Sequence, residues 1–321
     1  MLRLNTLKSH SKSVIVRLKR LGRSGEKIPE IGMGSWKMGT KPEDGIRAIR
    51  KGISLGMGFI DTAEMYANEE LVGAAIRGQG PVFIATKVSP NHLRRADLIK
   101  ACKRSLSKLG VKSIDLYMVH WPNPSVDIWE TMSAMEHLVD AGLVRHIGVS
   151  NFSVGEMEAA RAAMKRYDIV SLETEYSILV RGMERDMLPY CRREGITVIA
   201  YSPLARGLIL RGDQAALQSA LRSVAARHHR TPMQAALNWV VANDGVVAIP
   251  KASDPSHMEE DAGASGWRMS ARERKDISDA AVPKPPITAG NKPFITKFAS
   301  LTGAYERIQA FKNRRIRGAI K

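Results

Sequence analysis

From residue 31 onward, short apolar runs alternate with longer amphipathic stretches, and this alternation restricts the fold more than any other feature. Eight runs have the length and composition of buried strands: 31–36, 58–61, 82–87, 114–120, 146–150, 169–174, 196–201 and 246–250. Eight helix-like stretches lie between and after them: 43–55, 68–77, 95–109, 125–141, 153–166, 184–194, 231–243 and 255–264. Eight such βα units predict a parallel (β/α)8 TIM barrel, and an open doubly wound sheet is the alternative.

The chain also has segments outside this alternation. We expect three: a β-hairpin over about 14–31, an added helix at about 214–228 within a long loop, and a C-terminal extension over about 281–321. Gly22 and Gly25 suit the turn of the hairpin. The proline-rich stretch VPKPP opens the extension and ends the βα pattern. The whole chain is therefore expected to be a single domain, with its barrel over about 31–265.

The charge and cysteine content bear on compartment and partners. The chain has a formal net charge of +17, and residues 1–25 contain no acidic residue. This basic start predicts either a solvated extension or a mitochondrial transit peptide. Only Cys102 and Cys191 are present, which indicates a reducing compartment and predicts a cytoplasmic protein. Neither a membrane span nor a metal site is expected, and nucleic acid is an unlikely partner despite the basic ends. We expect a monomer or a weak homo-oligomer.

Three consecutive predicted strands end on titratable side chains. Asp61, Lys87 and His120 close the second, third and fourth runs, and Tyr66 follows Asp61 in FIDTAEMY. Because functional groups of a parallel barrel gather at the carboxyl ends of its strands, all four are expected to meet. An ion pair that merely plugs the barrel end is the structural alternative.

These residue types suit the reduction of a carbonyl group. Tyr66 can donate a proton to the carbonyl oxygen, although a phenol is ordinarily a weak acid. A neighbouring Lys87 is expected to lower the pKa of that phenol, and Asp61 to hold Lys87 charged. His120 can orient the carbonyl by donating a hydrogen bond.

Several motifs, in order along the chain, resemble those of the aldo-keto reductase family. They are GFIDTAEMYANEELVGAAI, the strand-end lysine, LYMVHWP, GLVRHIGVSNF, EYS, IAYSPLARG and AIPKASDP, within roughly residues 18–280. The resemblance implies a (β/α)8 barrel whose bottom is closed by the hairpin. It implies a reductase that binds NADP(H), or less often NAD(H), without a Rossmann motif. The glycines of GMGSWKMG do not have the spacing of such a motif.

The resemblance also implies roles for individual residues. Asp61, Tyr66, Lys87 and His120 match the catalytic four. Three groups match the cofactor-binding positions: Ser150, Asn151, Glu173 and Tyr201 at the nicotinamide; Ser202, Leu204 and Arg206 at the pyrophosphate; Lys251, Ser253, His257, Glu260 and Asp261 at the adenosine end. The chain departs from the family at Glu173, where glutamine is usual, at His257, where arginine is common, and at Asp261, where asparagine is usual. Trp36 and Trp121 match the walls of the substrate pocket.

Other functions remain open at this point. A barrel of this family can serve as an NADP(H)-binding redox sensor that regulates a partner. A barrel aldolase would use Lys87 as a Schiff base. The basic ends would be the site of any nucleic-acid binding.

Overall fold

The computed structural model describes residues 16–39 and 41–286. Two short strands come first, β1 (Leu18–Arg20) and β2 (Lys27–Pro29). Eight more follow: β3 (Met33–Gly34), β4 (Phe59–Asp61), β5 (Phe83–Val88), β6 (Ile114–Val119), β7 (Val144–Ser150), β8 (Ile169–Glu175), β9 (Thr197–Tyr201) and β10 (Val246–Ala248). Strands β3 to β10 pair in parallel with their neighbours in chain order.

Backbone contacts between the first and last barrel strands distinguish a barrel from an open sheet. Ile31 forms a parallel bridge with Ala248. The Gly32 N–H donates to the Ala248 carbonyl at 2.8 Å, and the Gly34 N–H donates to the Pro250 carbonyl at 2.9 Å. Both edges of the sheet are thereby satisfied, as a barrel requires. The predicted (β/α)8 barrel is confirmed, and the doubly wound alternative is wrong.

Ten α-helices surround the strands in the described residues. They are α1 (Pro42–Ser54), α2 (Glu69–Ile76), α3 (Arg95–Leu109), α4 (Ile128–Asp140), α5 (Val154–Ala162), α6 (Met187–Glu194), α7 (Ala215–Arg227), α8 (Pro232–Val241), α9 (Pro255–Ala262) and α10 (Ala271–Ala280). Helix α7 is the predicted added helix. Helix α10 was not expected, although Ser270 and Glu273 form a capping box at its start, a signal readable in the sequence.

The hairpin covers the amino ends of the barrel strands, as expected. Leu21 and Ile28 are fully buried in the cluster that fills the barrel interior. The Gly22 N–H donates to Thr197 Oγ1 at 2.7 Å, at the first residue of β9. Gly22 has a φ of +52°, and a Cβ there would lie 2.5 Å from the Val170 carbonyl oxygen. Only glycine lets the turn approach the barrel this closely.

The two-residue repeat of the strands decides which side chains point into the barrel. Phe59, Phe83 and Leu116 belong to the interior cluster, whereas Ile60 and Ile84 pack in the layer between strands and helices. Continuing each alternation to the carboxyl end directs Asp61, Lys87 and His120 to the interior side. The same repeat that builds the core thus brings three polar groups to the barrel mouth.

Of the basic termini predicted from the sequence, residues 1–15 and 287–321 lie outside the described residues, whereas residues 16–25 belong to the hairpin. In the part of the chain that the structure covers, no helix is both long and apolar enough to cross a membrane. Cys102 and Cys191 are both free and buried.

Candidate active site

Lys87 is the centre of the polar group at the barrel mouth. Its side chain has no solvent exposure, and its Nζ lies 2.5 Å from Asp61 Oδ1 and 3.1 Å from Glu173 Oε2. It also donates to the Thr62 carbonyl at 3.0 Å. The two carboxyl groups raise the pKa of Lys87 above its ordinary value although burial opposes them. The lysine is therefore charged throughout the neutral pH range.

Tyr66 follows Asp61 at the end of a 3₁₀ turn, Glu64–Tyr66. Its ring centroid lies 5.2 Å from Lys87 Nζ and 5.5 Å from that of His120, whose ring it meets edge to face. Burial raises the pKa of Tyr66 above its ordinary value, and Lys87 acts in the opposite direction. The prediction that Lys87 brings the pKa of Tyr66 below its ordinary value is therefore wrong. The loss of water around the phenol has a larger effect on this pKa than the charge of the lysine. The phenol is protonated, which is the form a proton donor needs.

His120 is buried against the same lysine. Loss of water and the charge of Lys87 hold the pKa of His120 well below its ordinary value. The imidazole is thus neutral, with one ring nitrogen available as a donor. Within the described residues its Nδ1 has no hydrogen-bond partner. The Asn151 side-chain amide donates to the His120 carbonyl at 3.0 Å and fixes the backbone behind the ring.

A second buried carboxyl group, that of Glu173, enters this cluster from β8. Glu173 is 2% exposed, and its Oε2 lies 3.1 Å from the same Lys87 Nζ that Asp61 contacts. Burial and the Asp61 charge raise the pKa of Glu173 well above its ordinary value, while Lys87 opposes this. The sequence placed Glu173 at the cofactor but did not reveal its contact with Lys87. No local signal marks that contact, because β5 and β8 are brought together only by barrel closure.

One cavity of about 530 Å³ opens over these groups. Thirteen of the residues that line it are Trp36, Asp61, Met65, Tyr66, His120, Trp121, Asn151, Glu173, Tyr201, Ser202, Leu204, Arg206 and Lys251. Pro203, Gly207, Ile249 and Pro250 also line it. Lys87 does not line the cavity, but its Nζ contacts Asp61 and Glu173, which do. All the predicted catalytic, nicotinamide and pyrophosphate residues except Lys87 and Ser150 therefore line one cavity, and Ser150 accepts a hydrogen bond from Asn151, which lines it.

Side chains from β7 and β9 are linked across the floor of the cavity. The Tyr201 hydroxyl donates to Asn151 Oδ1 at 2.8 Å, and the Asn151 amide donates to Ser150 Oγ at 2.9 Å. Asn151 has a φ of +63°, a conformation that asparagine tolerates better than most residues. This strained residue holds the tyrosine in place at the barrel mouth.

A cationic rim borders the cavity after β9 and β10. The Arg206 guanidinium lies 5.1 Å from the Trp36 ring centroid, in a cation–π contact. Ser202 and Arg206 have positive φ values of 49° and 53°. Lys251 also lines the cavity, and partial burial together with Lys37 lowers its pKa from the ordinary value. The rim therefore offers two positive side chains and a tightly turned backbone to an anionic group.

Four of the predicted adenosine-end residues lie outside the cavity lining. Ser253 precedes α9, and His257 lies on its exposed side. Glu260 accepts a hydrogen bond from Thr231 Oγ1 at 2.6 Å, so it ties α9 to α8. Asp261 is buried, and desolvation together with Glu260 raises its pKa to about 7. No group of three metal-ligating side chains occurs within residues 16–39 and 41–286.

The donor set of the cavity fits an NADP-type cofactor. It combines apolar walls, the amide of Asn151, the ring of Tyr201 and a cationic rim. The Glu173 Oε2 atom makes no hydrogen bond within the described structure, although it is buried. Lys87 Nζ lies 3.1 Å from this atom, and a carboxyl group at the cavity can also accept a hydrogen bond from the carboxamide N–H of a bound nicotinamide.

Comparisons with known proteins agree with this geometry. The model of the aldo/keto reductase family matches residues 30–281. Methylglyoxal reductase YeaE of Escherichia coli is 36% identical over 266 residues, covering 80% of this chain and 92% of that protein. Aldo-keto reductase YhdN of Bacillus subtilis is 31% identical, covering 79% and 90%.

Solved structures show the same similarity. The thermostable aldo-keto reductase Tm1743, solved with the inhibitor epalrestat, has a TM-score of 0.78 at 38% identity and covers 83% of this chain and 100% of its own. An aldo-keto reductase of Klebsiella pneumoniae in complex with NADPH has a TM-score of 0.78 at 35% identity, covering 84% and 96%. With its barrel, its cavity and these relatives taken together, this chain belongs to the aldo/keto reductase family and is an oxidoreductase acting on carbonyl groups.

Proposed function

We propose that this protein catalyses the NADPH-dependent reduction of an aldehyde or ketone, with Tyr66 as the proton donor. The observation that carries the proposal is the meeting of Tyr66, Lys87, Asp61 and His120 at one cavity. The reverse reaction, oxidation of the matching alcohol, uses the same groups. NADP(H) is the cofactor of choice, and NAD(H) is the weaker alternative.

Each of the four residues has a physical part in this proposal. The hydride that the carbonyl carbon receives would come from NADPH bound in the cavity. Tyr66 donates its phenolic proton to the carbonyl oxygen, and the charge of Lys87 stabilises the phenolate that is left. Asp61, buried at 2.5 Å from Lys87 Nζ, holds that ammonium group in position. Neutral His120 donates a hydrogen bond that polarises the carbonyl before the transfer.

The cofactor would be held by residues of four elements. Ser150, Asn151 and Glu173 suit the carboxamide, and the Tyr201 ring suits stacking on the nicotinamide. Ser202, Leu204 and Arg206 suit the pyrophosphate, because a guanidinium binds phosphate through paired donors. Lys251 and Ser253 suit a 2′-phosphate, with His257, Glu260 and Asp261 toward the adenine.

The substrate is proposed to be a small carbonyl compound. Trp36 and Trp121 flank the cavity, and the apolar area of such walls favours uncharged groups. The relative from Escherichia coli named as a methylglyoxal reductase makes methylglyoxal the first compound to test. We further propose that residues 1–321 form one barrel domain and that the protein acts in the cytoplasm.

The Tyr66→Phe variant tests the proposal directly. We expect it to lose activity by about 100-fold to 10,000-fold, the usual contribution of a general acid, while binding NADPH as the wild type does. The measurement is NADPH consumption with a panel of aldehydes and ketones, beside NADPH binding by fluorescence. Tyr167→Phe, a change on an exposed phenol, is the matched control and keeps full activity. Full activity of Tyr66→Phe would overturn the assignment, and tight NADPH binding without turnover by the wild type would favour the redox sensor.

A further inference from the structure

Glu173 is a feature of this site that the reduction mechanism does not use. It is nine-tenths or more buried, it lines the cavity, and its Oε2 makes no hydrogen bond in the described structure although it lies 3.1 Å from Lys87 Nζ. Two carboxyl groups, those of Asp61 and Glu173, therefore face a single buried ammonium group. A carboxyl of this kind needs either a proton or a second positive charge.

Among residues 16–39 and 41–286, the surroundings of Glu173 offer no cation besides Lys87, which leaves a proton as the compensation. Asp61 approaches it from β4, Lys87 from β5, and Tyr66 from the turn after β4. The strands on either side of β8 place Ser150 and Ile199 at the paired positions, and neither carries a charge. The one lysine is already bonded to Asp61 at 2.5 Å. Two buried carboxyl groups that share one ammonium group need a proton on one of them, and the raised pKa of Glu173 agrees with this.

A nicotinamide ring would change this charge balance in only one of its oxidation states. The ring of NADP⁺ carries a positive charge, whereas the ring of NADPH is neutral. Beside a positive ring, an ionised Glu173 gains the second positive neighbour that it lacks in the free protein. Glutamine, the residue usual at this position, cannot respond in this way because it does not ionise.

We propose that Glu173 selects the oxidation state of the cofactor through a proton: it stays neutral beside NADPH and releases its proton when NADP⁺ binds. The inference rests on the proposed function. By linkage, a proton released on binding makes NADP⁺ affinity rise with pH, by up to about tenfold per unit while Glu173 titrates in the free protein. NADPH affinity does not rise with pH in this way, because Glu173 keeps its proton beside NADPH. Alkaline conditions therefore shift the bound cofactor toward NADP⁺.

The test compares wild type with Glu173→Gln, and uses Glu158→Gln, an exposed carboxyl on α5, as the matched control. Dissociation constants of NADP⁺ and NADPH are measured by fluorescence and calorimetry from pH 6 to pH 9. In wild type and in Glu158→Gln, the preference for NADP⁺ over NADPH is expected to rise by about tenfold or more across this range. In Glu173→Gln it is expected to change by less than about twofold, because the titrating group is gone.

Proton release gives an independent measure. Calorimetry in buffers of different ionisation enthalpy counts the protons released on binding, and the 2′-phosphate contributes equally for both cofactors. Wild type is expected to release up to one proton more with NADP⁺ than with NADPH, and Glu173→Gln the same number with both. Equal release and parallel pH curves in the two proteins would overturn this inference alone. If neither NADP⁺ nor NADPH bound to wild type, Glu173→Gln or Glu158→Gln, the proposed function would be overturned as well.

Discussion

At the scale of single residues, Lys87 is a fully buried ammonium group that two buried carboxyl groups share. Two buried carboxyl groups and the Thr62 carbonyl depend on its ammonium group. An ammonium and a carboxylate without solvent are stable only while each compensates the other. The residue that stabilises the Tyr66 phenolate in the proposed reaction is thus also part of what holds the barrel mouth together.

Replacing this lysine is expected to cost stability as well as activity. Lys87→Met leaves Asp61 and Glu173 without a counter-charge, and we expect a loss of about 3–5 kcal/mol in the free energy of unfolding at pH 8. Lys51→Met, which removes a half-exposed lysine paired with Glu259 on the surface, is the control and is expected to cost less than about 1 kcal/mol. Urea unfolding measures both. Similar losses in the two variants would show that Lys87 is not held by a buried ion pair.

At the scale of secondary-structure elements, the close packing of two helices depends on a glycine, a residue type with low helix propensity. Gly73 lies within α2, where glycine is unfavourable, yet a Cβ there would meet the Leu109 and Lys108 carbonyl oxygens of α3 at 2.6 and 2.7 Å. Gly155 lies in the first turn of α5, and a Cβ there would have open space. The same residue type thus serves packing in one helix and has no packing role in the other.

These two glycines give a matched pair of substitutions. Gly73→Ala is expected to destabilise the protein by about 1–3 kcal/mol, because the added carbon forces α2 away from α3. Gly155→Ala is expected to be neutral or to stabilise it by up to about 1 kcal/mol, since alanine favours helix. Thermal or urea unfolding of both variants measures the difference. A gain in stability for Gly73→Ala would mean that the contact between α2 and α3 is looser than described.

At the scale of the whole molecule, stability must depend on pH through the buried acids. A carboxyl group whose pKa is raised by folding binds more protons in the folded than in the unfolded protein. Its contribution to stability is therefore lost as the pH rises above the unfolded value, 4.5 for glutamate. His120 works in the opposite sense, because its lowered pKa costs stability as the pH falls below 6.5. The two effects have opposite signs and overlap between about pH 4.5 and pH 6.5.

The Glu173 part of this dependence can be isolated. Relative to wild type, Glu173→Gln is expected to become more stable as the pH rises from 5 to 8, by up to about 1.4 kcal/mol per unit while Glu173 titrates. The measurement is the difference in urea unfolding free energy between the two proteins at each pH. A difference that stays constant over the range would mean that Glu173 does not change its protonation between the folded and unfolded states there.

The sequence alone predicted the eight βα units and the titratable residues at the carboxyl ends of three of their strands. The strand repeat is local, so Asp61, Lys87 and His120 could be assigned to strand ends before any contact was known. Helix α10 was not predicted, although Ser270 and Glu273 form a capping-box pattern, because this helix lies outside the repeat of eight βα units. The roles of the site residues at the cofactor and substrate stay predictions.

Tertiary structure decided what depends on distant parts of the chain meeting. Whether the sheet closes was settled by the contact of Ile31 with Ala248, between segments at opposite ends of the barrel. The direction of the Tyr66 pKa shift depends on how much water the surrounding loops exclude. A sequence motif does not indicate the extent of that exclusion. The pairing of Glu173 with Lys87 joins β8 to β5 across the barrel mouth. Hydrophobic periodicity depends on residues that are close together in the chain. Burial and charge compensation depend on contacts that form only when the barrel closes.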